Sequence, residues 1–264
     1  MAHHSHNHGH HHHGHHHSAV DGMSHTEANA HFFDKMAEKA LSESWLKVER
    51  RMTSELRDRL VWIGIEWANK DVEASKDVRL LDYACGTGMM TRTFAPHITS
   101  ATGVDVSPAM IKAFNTCIPD SGLPYHRVSA VVGDIISDPP SSSVTGPDFQ
   151  DFDLIAIGFA YHHFEHQDVS VRKLSERLKP GGVFLITDFA GEQKGHVPEE
   201  AAATMKVTGF EEEDVKSVFA KEGLVDFGLE VLKENVVFEM DGVTIDRKVF
   251  IAKGRKPDRP VASI

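Results

Sequence analysis

The chain has 264 residues, a formal charge of −11 and 41% hydrophobic residues, enough apolar material for one sizeable core. The acidic balance, with no run of lysine or arginine, argues against a nucleic-acid partner, whose phosphates need a basic face. Two cysteines, Cys85 and Cys117, are too few for a disulfide scaffold or a zinc site, and no apolar run approaches the roughly 18 residues of a membrane span. The expectation is a reduced, cytoplasmic protein with no membrane partner.

Residues 1–22 are almost all His, Gly, Ser and Asn, and read as an affinity tag with its linker. Eleven of the 19 histidines fall there, so the histidine count says nothing about metal binding. A single domain is expected over residues 23–254, with 255–264 a frayed tail.

From Thr26 to Lys70, Phe32, Phe33, Met36, Trp45, Val48, Met52, Leu56 and Ile63 recur at helical spacing, which predicts two helices covering a sheet face or lidding a pocket. Then short apolar runs alternate with helical stretches, the pattern of a parallel sheet wrapped by helices. The first strand, Arg79 to Ala84, breaks into Cys85-Gly86-Thr87-Gly88 and restarts as a helix at Met89. Such a turn lets a ligand approach the backbone closely and meet the unpaired N–H groups of a helix start. Strand two, Ala101 to Asp105, leads into Ser107-Pro108, a helix cap with proline in the first turn. Strand three ends at Asp134, strand four is the apolar run Phe152 to Gly158, and strand five is Val183 to Thr187 after a helix stopped by Lys179-Pro180-Gly181-Gly182. Glu199 to Lys206 and Glu211 to Glu222 read as helices, and Met240-Asp241-Gly242 as a hairpin turn that closes the sheet with an antiparallel strand.

In such a sheet ligands sit outside the carboxyl ends of the strands, where chain order reverses. Asp82, Asp105 and Asp134 all lie at such ends. Asp105, 17 residues after Gly88, is placed to accept two ribose hydroxyls. Asp134 can accept from an adenine amine while Ile135 and Met110 sandwich the ring, and Asp82 can meet the cationic end of an amino-acid moiety. A nicotinamide dinucleotide site shares the turn and the later acid, but its third glycine would fall at Thr91.

Leu81 to Gly88, Gly103 to Met110, Gly133-Asp134-Ile135 and Leu178-Lys179-Pro180-Gly181-Gly182 together resemble the class I S-adenosylmethionine-dependent methyltransferases, in their small-molecule, ubiquinone- and menaquinone-biosynthesis-like branch. The resemblance implies a Rossmann-like, doubly wound sheet of seven mostly parallel strands with an antiparallel C-terminal strand and N-terminal helices. It implies S-adenosyl-L-methionine as cofactor and S-adenosyl-L-homocysteine as product. It places the methionine end at the glycine turn, the ribose at Asp105 and the adenine beside Asp134 and Ile135, and the expected cofactor-binding set is Asp82, Ala84, Gly86, Thr87, Gly88, Asp105, Val106, Met110, Asp134, Ile135 and Phe159. Ala84 stands where the family often has glycine, a change that an extended backbone would tolerate. Ala40 falls where relatives place an aromatic residue and an acid, so a lid contact passes to Trp45 or is missing.

The sulfonium already activates its methyl group, and the protein's task is to align the acceptor. His162 and His163, in the segment after strand four, are the candidate bases for a phenol or thiol. The structural alternative has one of them fixing the loop and the other solvated. The expected partner is a small, partly apolar acceptor taking the methyl on oxygen, nitrogen, sulfur or carbon, with residues 190–210, including Met205, Val207 and Phe210, as a flap over it. A cofactor-binding protein without catalysis, or a methyltransferase acting on a protein, stays open, and no metal site is expected.

Overall fold

The computed structural model describes residues 22–69, 71, 75–191, 199–240 and 243–258. Its helices are α1 (His25–Met36), α2 (Glu43–Arg57), α3 (Leu60–Ile63), α4 (Met89–Phe94), α5 (Pro108–Cys117), α6 (Gln167–Ser175), α7 (Glu199–Ala202) and α8 (Glu212–Lys221). Its strands are β1 (Arg79–Tyr83), β2 (Ser100–Asp105), β3 (Val128–Val132), β4 (Phe152–Gly158), β5 (Leu178–Phe189), β6 (Val225–Val231), β7 (Val236–Met240), β8 (Val243–Arg247) and β9 (Val249–Arg255).

Seven strands form one sheet in the order β3-β2-β1-β4-β5-β9-β6, with β1 to β5 parallel and β9 antiparallel to both its neighbours. Period-two side chains send Leu80, Leu154 and Leu185 to one face, against Met52 and Leu56 of α2 and Phe94 of α4. Leu81, Ile155 and Phe184 go to the other, against Val171 and Leu174 of α6 and Phe219 of α8. Both faces are buried, which is why these strands read as continuous apolar runs. Chain order reverses between β1 and β4, and that crevice is the one the strand-end acids flank.

Three details depart from the sequence expectation. The closing segments are each broken in two: β6 and β9 join the main sheet, while β7 and β8 pair with each other in a separate two-stranded sheet, with β7 against α2. The expected turn residues Asp241 and Gly242 lie outside the described residues. The antiparallel strand β9 is inserted between β5 and β6, because it pairs with both. Finally, Lys179 to Gly182 do not stop the helix. That helix ends at Ser175, and the four residues form a bulge inside β5, where pairing jumps from Phe152↔Leu178 to Leu154↔Val183 and Gly181 takes φ +76°.

Candidate functional site

The carboxyl ends of β1 to β4 open on a cavity of about 550 Å³, closed on its other side by α1 and α2. Gly86 adopts φ +51°, and a Cβ placed on it would meet no atom within 4 Å, so this glycine faces open space that a ligand can fill. Gly88, at φ +86°, does something different: its Cβ would stand 2.9 Å from the Phe114 ring, and its bareness lets α5 pack against the turn. Ala84 is not extended as expected but left-handed, with φ +54°, and Phe159 at the end of β4 has φ +54° as well. Both line the cavity, so backbone strain is concentrated where the two switch-point strands end.

Asp105 lines the cavity while accepting from the Gly86 N–H and the Ser107 N–H, each at 2.9 Å. Burial pushes its carboxyl up to about 6, against those two bonds. Asp134 also lines the cavity. One of its oxygens accepts from the Tyr83 hydroxyl and the Ile136 and Ser137 N–H groups, and the other only from Thr26 at 3.3 Å. Thr87, Val106, Met110, Ala84 and Phe159 line the cavity too.

Three expected cofactor residues lie elsewhere. Asp82 is buried and accepts both the N–H and the hydroxyl of Thr91, stapling β1 to α4, with burial raising it to about 7. Thr91 thus occupies the third-glycine position of the dinucleotide pattern as a structural partner. Gly88 is the packing glycine just described. Ile135 is fully buried in the apolar core, and its neighbour Ile136 lines the cavity instead.

The sequence offered the N-terminal helices as a lid, with Trp45 as a candidate contact, but not the other residues they contribute. His25, Thr26, Asn29, Phe33 and Met36 form one stripe of α1 on the cavity, and α2 adds Trp45, Val48 and Glu49. Glu49 accepts from the Thr87 hydroxyl and pairs with Arg92, which itself donates to the Thr87 carbonyl. Asp34 accepts from the Ser107 hydroxyl and the Ala109 N–H, tying α1 to the start of α5. Asn29 donates Nδ2 to the His25 carbonyl, and its buried Oδ1 has no partner. Phe33 and Met36 show in the helical period, while the polar members of the stripe, His25, Thr26 and Asn29, do not. The expected flap does not line the cavity: Phe210 packs on Tyr161 and Phe250, none of the described residues in 199–210 reaches the cavity, and 192–198 lie outside the described residues.

An open glycine turn, an acid at the end of β2 free to accept from neighbouring hydroxyls, and a second acid at the end of β3 suit a nucleoside carrying an amino-acid tail. Residues 81–184 match the family model described as a methyltransferase domain. Over those residues the chain is similar to methyltransferase domains. It is 31% identical over 110 residues to an uncharacterized methyltransferase of Schizosaccharomyces pombe, covering 42% of this chain and 38% of the relative. Over 134 residues it is 29% identical to a ubiquinone/menaquinone biosynthesis C-methyltransferase of a Shewanella species, covering 48% of this chain and 50% of the relative. The match thus spans half or less of these relatives. Among solved structures, a complex of the Haloferax volcanii Trm112 methyltransferase activator with a methyltransferase contains a chain superposing with a TM-score of 0.63 at 17% identity, covering 88% of this chain and 99% of that one. At that identity the likeness shows a shared fold.

The two histidines after β4 have separate surroundings. His162 does not line the cavity. Its N–H and Nδ1 both meet the buried Asp188 carboxylate, at 3.0 and 2.7 Å. His163 does line it, with Nδ1 3.0 Å from the Thr204 carbonyl and its ring 5.0 Å from that of Phe33. Among the described residues no cluster of three or more His, Cys, Asp or Glu is placed to hold a metal ion, and no helix is long and apolar enough to cross a membrane.

Proposed function

We propose that the chain is an S-adenosyl-L-methionine-dependent methyltransferase acting on a small, partly apolar acceptor and releasing S-adenosyl-L-homocysteine. One observation carries this reading: a single cavity runs from the glycine turn and the two strand-end acids to a wall of Phe33, Met36, Trp45, Val48 and Phe159. The residues present fit the cofactor. Gly86 leaves room for the methionine end, Asp105 keeps acceptor capacity for the ribose hydroxyls, and the half-engaged carboxylate of Asp134 can take an adenine amine. When bound, the cofactor supplies an electrophilic methyl. The protein excludes water and holds the acceptor in line, so that the new bond to carbon forms as the carbon–sulfur bond leaves its electron pair on sulfur. The Shewanella relative, named for C-methylation in quinone biosynthesis, supports a small-molecule acceptor over a protein one.

Thermal unfolding tests the reading. S-adenosyl-L-methionine or S-adenosyl-L-homocysteine should raise the melting temperature, since ligand at a hundredfold its dissociation constant stabilises by about 2.7 kcal/mol. Asp105→Ala should lose the effect. A melting curve indifferent to both compounds would overturn the proposal.

A further inference from the structure

The acceptor end of the cavity is more specific than its volume suggests. A backbone carbonyl can only accept, so the contact with Thr204 requires His163 to carry its proton on Nδ1, which leaves the lone pair on Nε2. No described residue hydrogen-bonds Nε2. Among the described residues, the buried side-chain nitrogen or oxygen atoms without partners are Asn29 Oδ1 and the Tyr161 hydroxyl; Nε2 is not one of them, and with no partner it is open to the cavity that His163 lines. Burial first, then the neighbouring His162 ring at 4.1 Å and His25, which meets the His163 carbonyl, hold this imidazole well below its usual range. The Asp188 carboxylate is spent on His162. His163 is therefore a neutral base at physiological pH.

The walls around it are aromatic. Phe33 meets the His163 ring edge to face, and Trp45 and Phe159 line the same cavity. Phe238, from the β7–β8 arm, backs both, with ring centroids 5.5 Å from each. Aromatic walls also attract cations, but a buried ammonium is best held with a carboxylate beside it, and the carboxylates of the lining are committed to the protein or, in the function proposed above, to the cofactor. Glu49 is held by Thr87 and Arg92, and Asp105 and Asp134 are held by backbone N–H groups. Asp138 and Glu165 sit exposed at the rim, Glu165 paired with Lys206.

We infer that His163 Nε2 is the general base and that the acceptor is a planar, uncharged phenol or enol methylated on oxygen, a conclusion that rests on the function proposed above. Nε2 takes the hydroxyl proton as the oxygen lone pair forms the bond to the methyl carbon. The carbon–sulfur pair stays on sulfur, and the imidazolium then gives its proton to water. A base this weak suits an acidic hydroxyl and is mismatched to an alkyl alcohol. His162, bound to Asp188, is a positioning residue that shapes the turn carrying His163.

The test uses the full chain loaded with S-adenosyl-L-homocysteine, and two probes that differ in one proton donor, 4-chlorophenol and 4-chloroanisole, the phenol being neutral at pH 7. Nitrogen NMR of histidine-labelled protein should show a neutral His163 protonated on Nδ1 at pH 7, with the Nε2 resonance moving on addition of 4-chlorophenol. The phenol should bind about tenfold more tightly than its methyl ether, a preference lost in His163→Phe and His163→Gln while homocysteine-product affinity is retained. With S-adenosyl-L-methionine, label should reach the phenol oxygen, and His163→Gln should slow that transfer by roughly 10²–10⁴-fold. An Nε2–H tautomer, an imidazolium at pH 7, a phenol preference that survives in the variants, or label on carbon or on amines would each overturn the inference. Failure of the wild-type chain to bind S-adenosyl-L-homocysteine would instead overturn the function on which it rests.

Discussion

Three residues of the glycine turn carry left-handed backbone, and each answers a different need. Gly86 is bare because the cavity is there, so Gly86→Ala should reduce cofactor affinity while costing about 1–2 kcal/mol of stability from its positive φ alone. Gly88 is bare because Phe114 is there. Gly88→Ala adds a 2.9 Å clash to the same strain and should cost roughly 2 kcal/mol or more, read as a lower denaturation midpoint before any ligand is added. Ala84 runs the other way. Its methyl group already pays for φ +54°, so Ala84→Gly should stabilise the chain by up to about 1 kcal/mol, the relief of strain exceeding the entropy glycine adds to the unfolded state. Equal losses at Gly86 and Gly88, or a destabilised Ala84→Gly, would contradict this division of labour.

At the scale of elements, α1 is the least embedded part of the site. Asn29 is its one buried residue, and polar contacts hold the helix down: His25 to the His163 carbonyl, Thr26 to Asp134, and Asp34 to the start of α5. Asp34 supplements the Ser107 cap from another helix, accepting an N–H that α5 cannot satisfy itself. Asp34→Ala should cost about 1 kcal/mol and, more tellingly, speed amide exchange across residues 25–36 without changing exchange in β1 or β4. Exchange that stays slow would show α1 to be anchored by its apolar side chains instead. Asn29 offers a complementary reading. Its partnerless Oδ1 has a desolvation cost, so Asn29→Leu should leave the ligand-free chain at least as stable as before.

Across the whole molecule, what could be read from the sequence was what is local. Strand-end acids, the glycine turn and the Ser107-Pro108 cap declare themselves within a few residues, and Asp105 and Asp134 do border the cavity. The split of the closing segments did not, because the stretches on either side of the Met240-Asp241-Gly242 turn each read as one strand, and only pairing across the sheet decides that β9 joins β5 while β7 and β8 stay apart. The side-chain environments of Asp82 and Ile135 were equally non-local, set by Thr91 and by the buried core. Burial of two acids gives the molecule a pH dependence with opposite signs for folding and for binding. Asp105 is raised to about 6 and Asp82 to about 7, against about 3.9 for an unfolded aspartate, so the folded chain holds protons that the unfolded chain has lost. Their contribution to stability is fully present below about pH 4 and disappears as pH rises through 6 and 7. Asp82→Asn cannot ionise and should therefore gain on the wild type as pH rises from 6 to 8, measured by denaturant titration. Cofactor binding needs the other form of Asp105, because accepting two ribose hydroxyls requires the carboxylate. Affinity for S-adenosyl-L-homocysteine should strengthen from pH 5 to about 7 in the wild type and stay flat in Asp105→Asn, and a calorimetric titration flat in both would remove Asp105 from the ribose site.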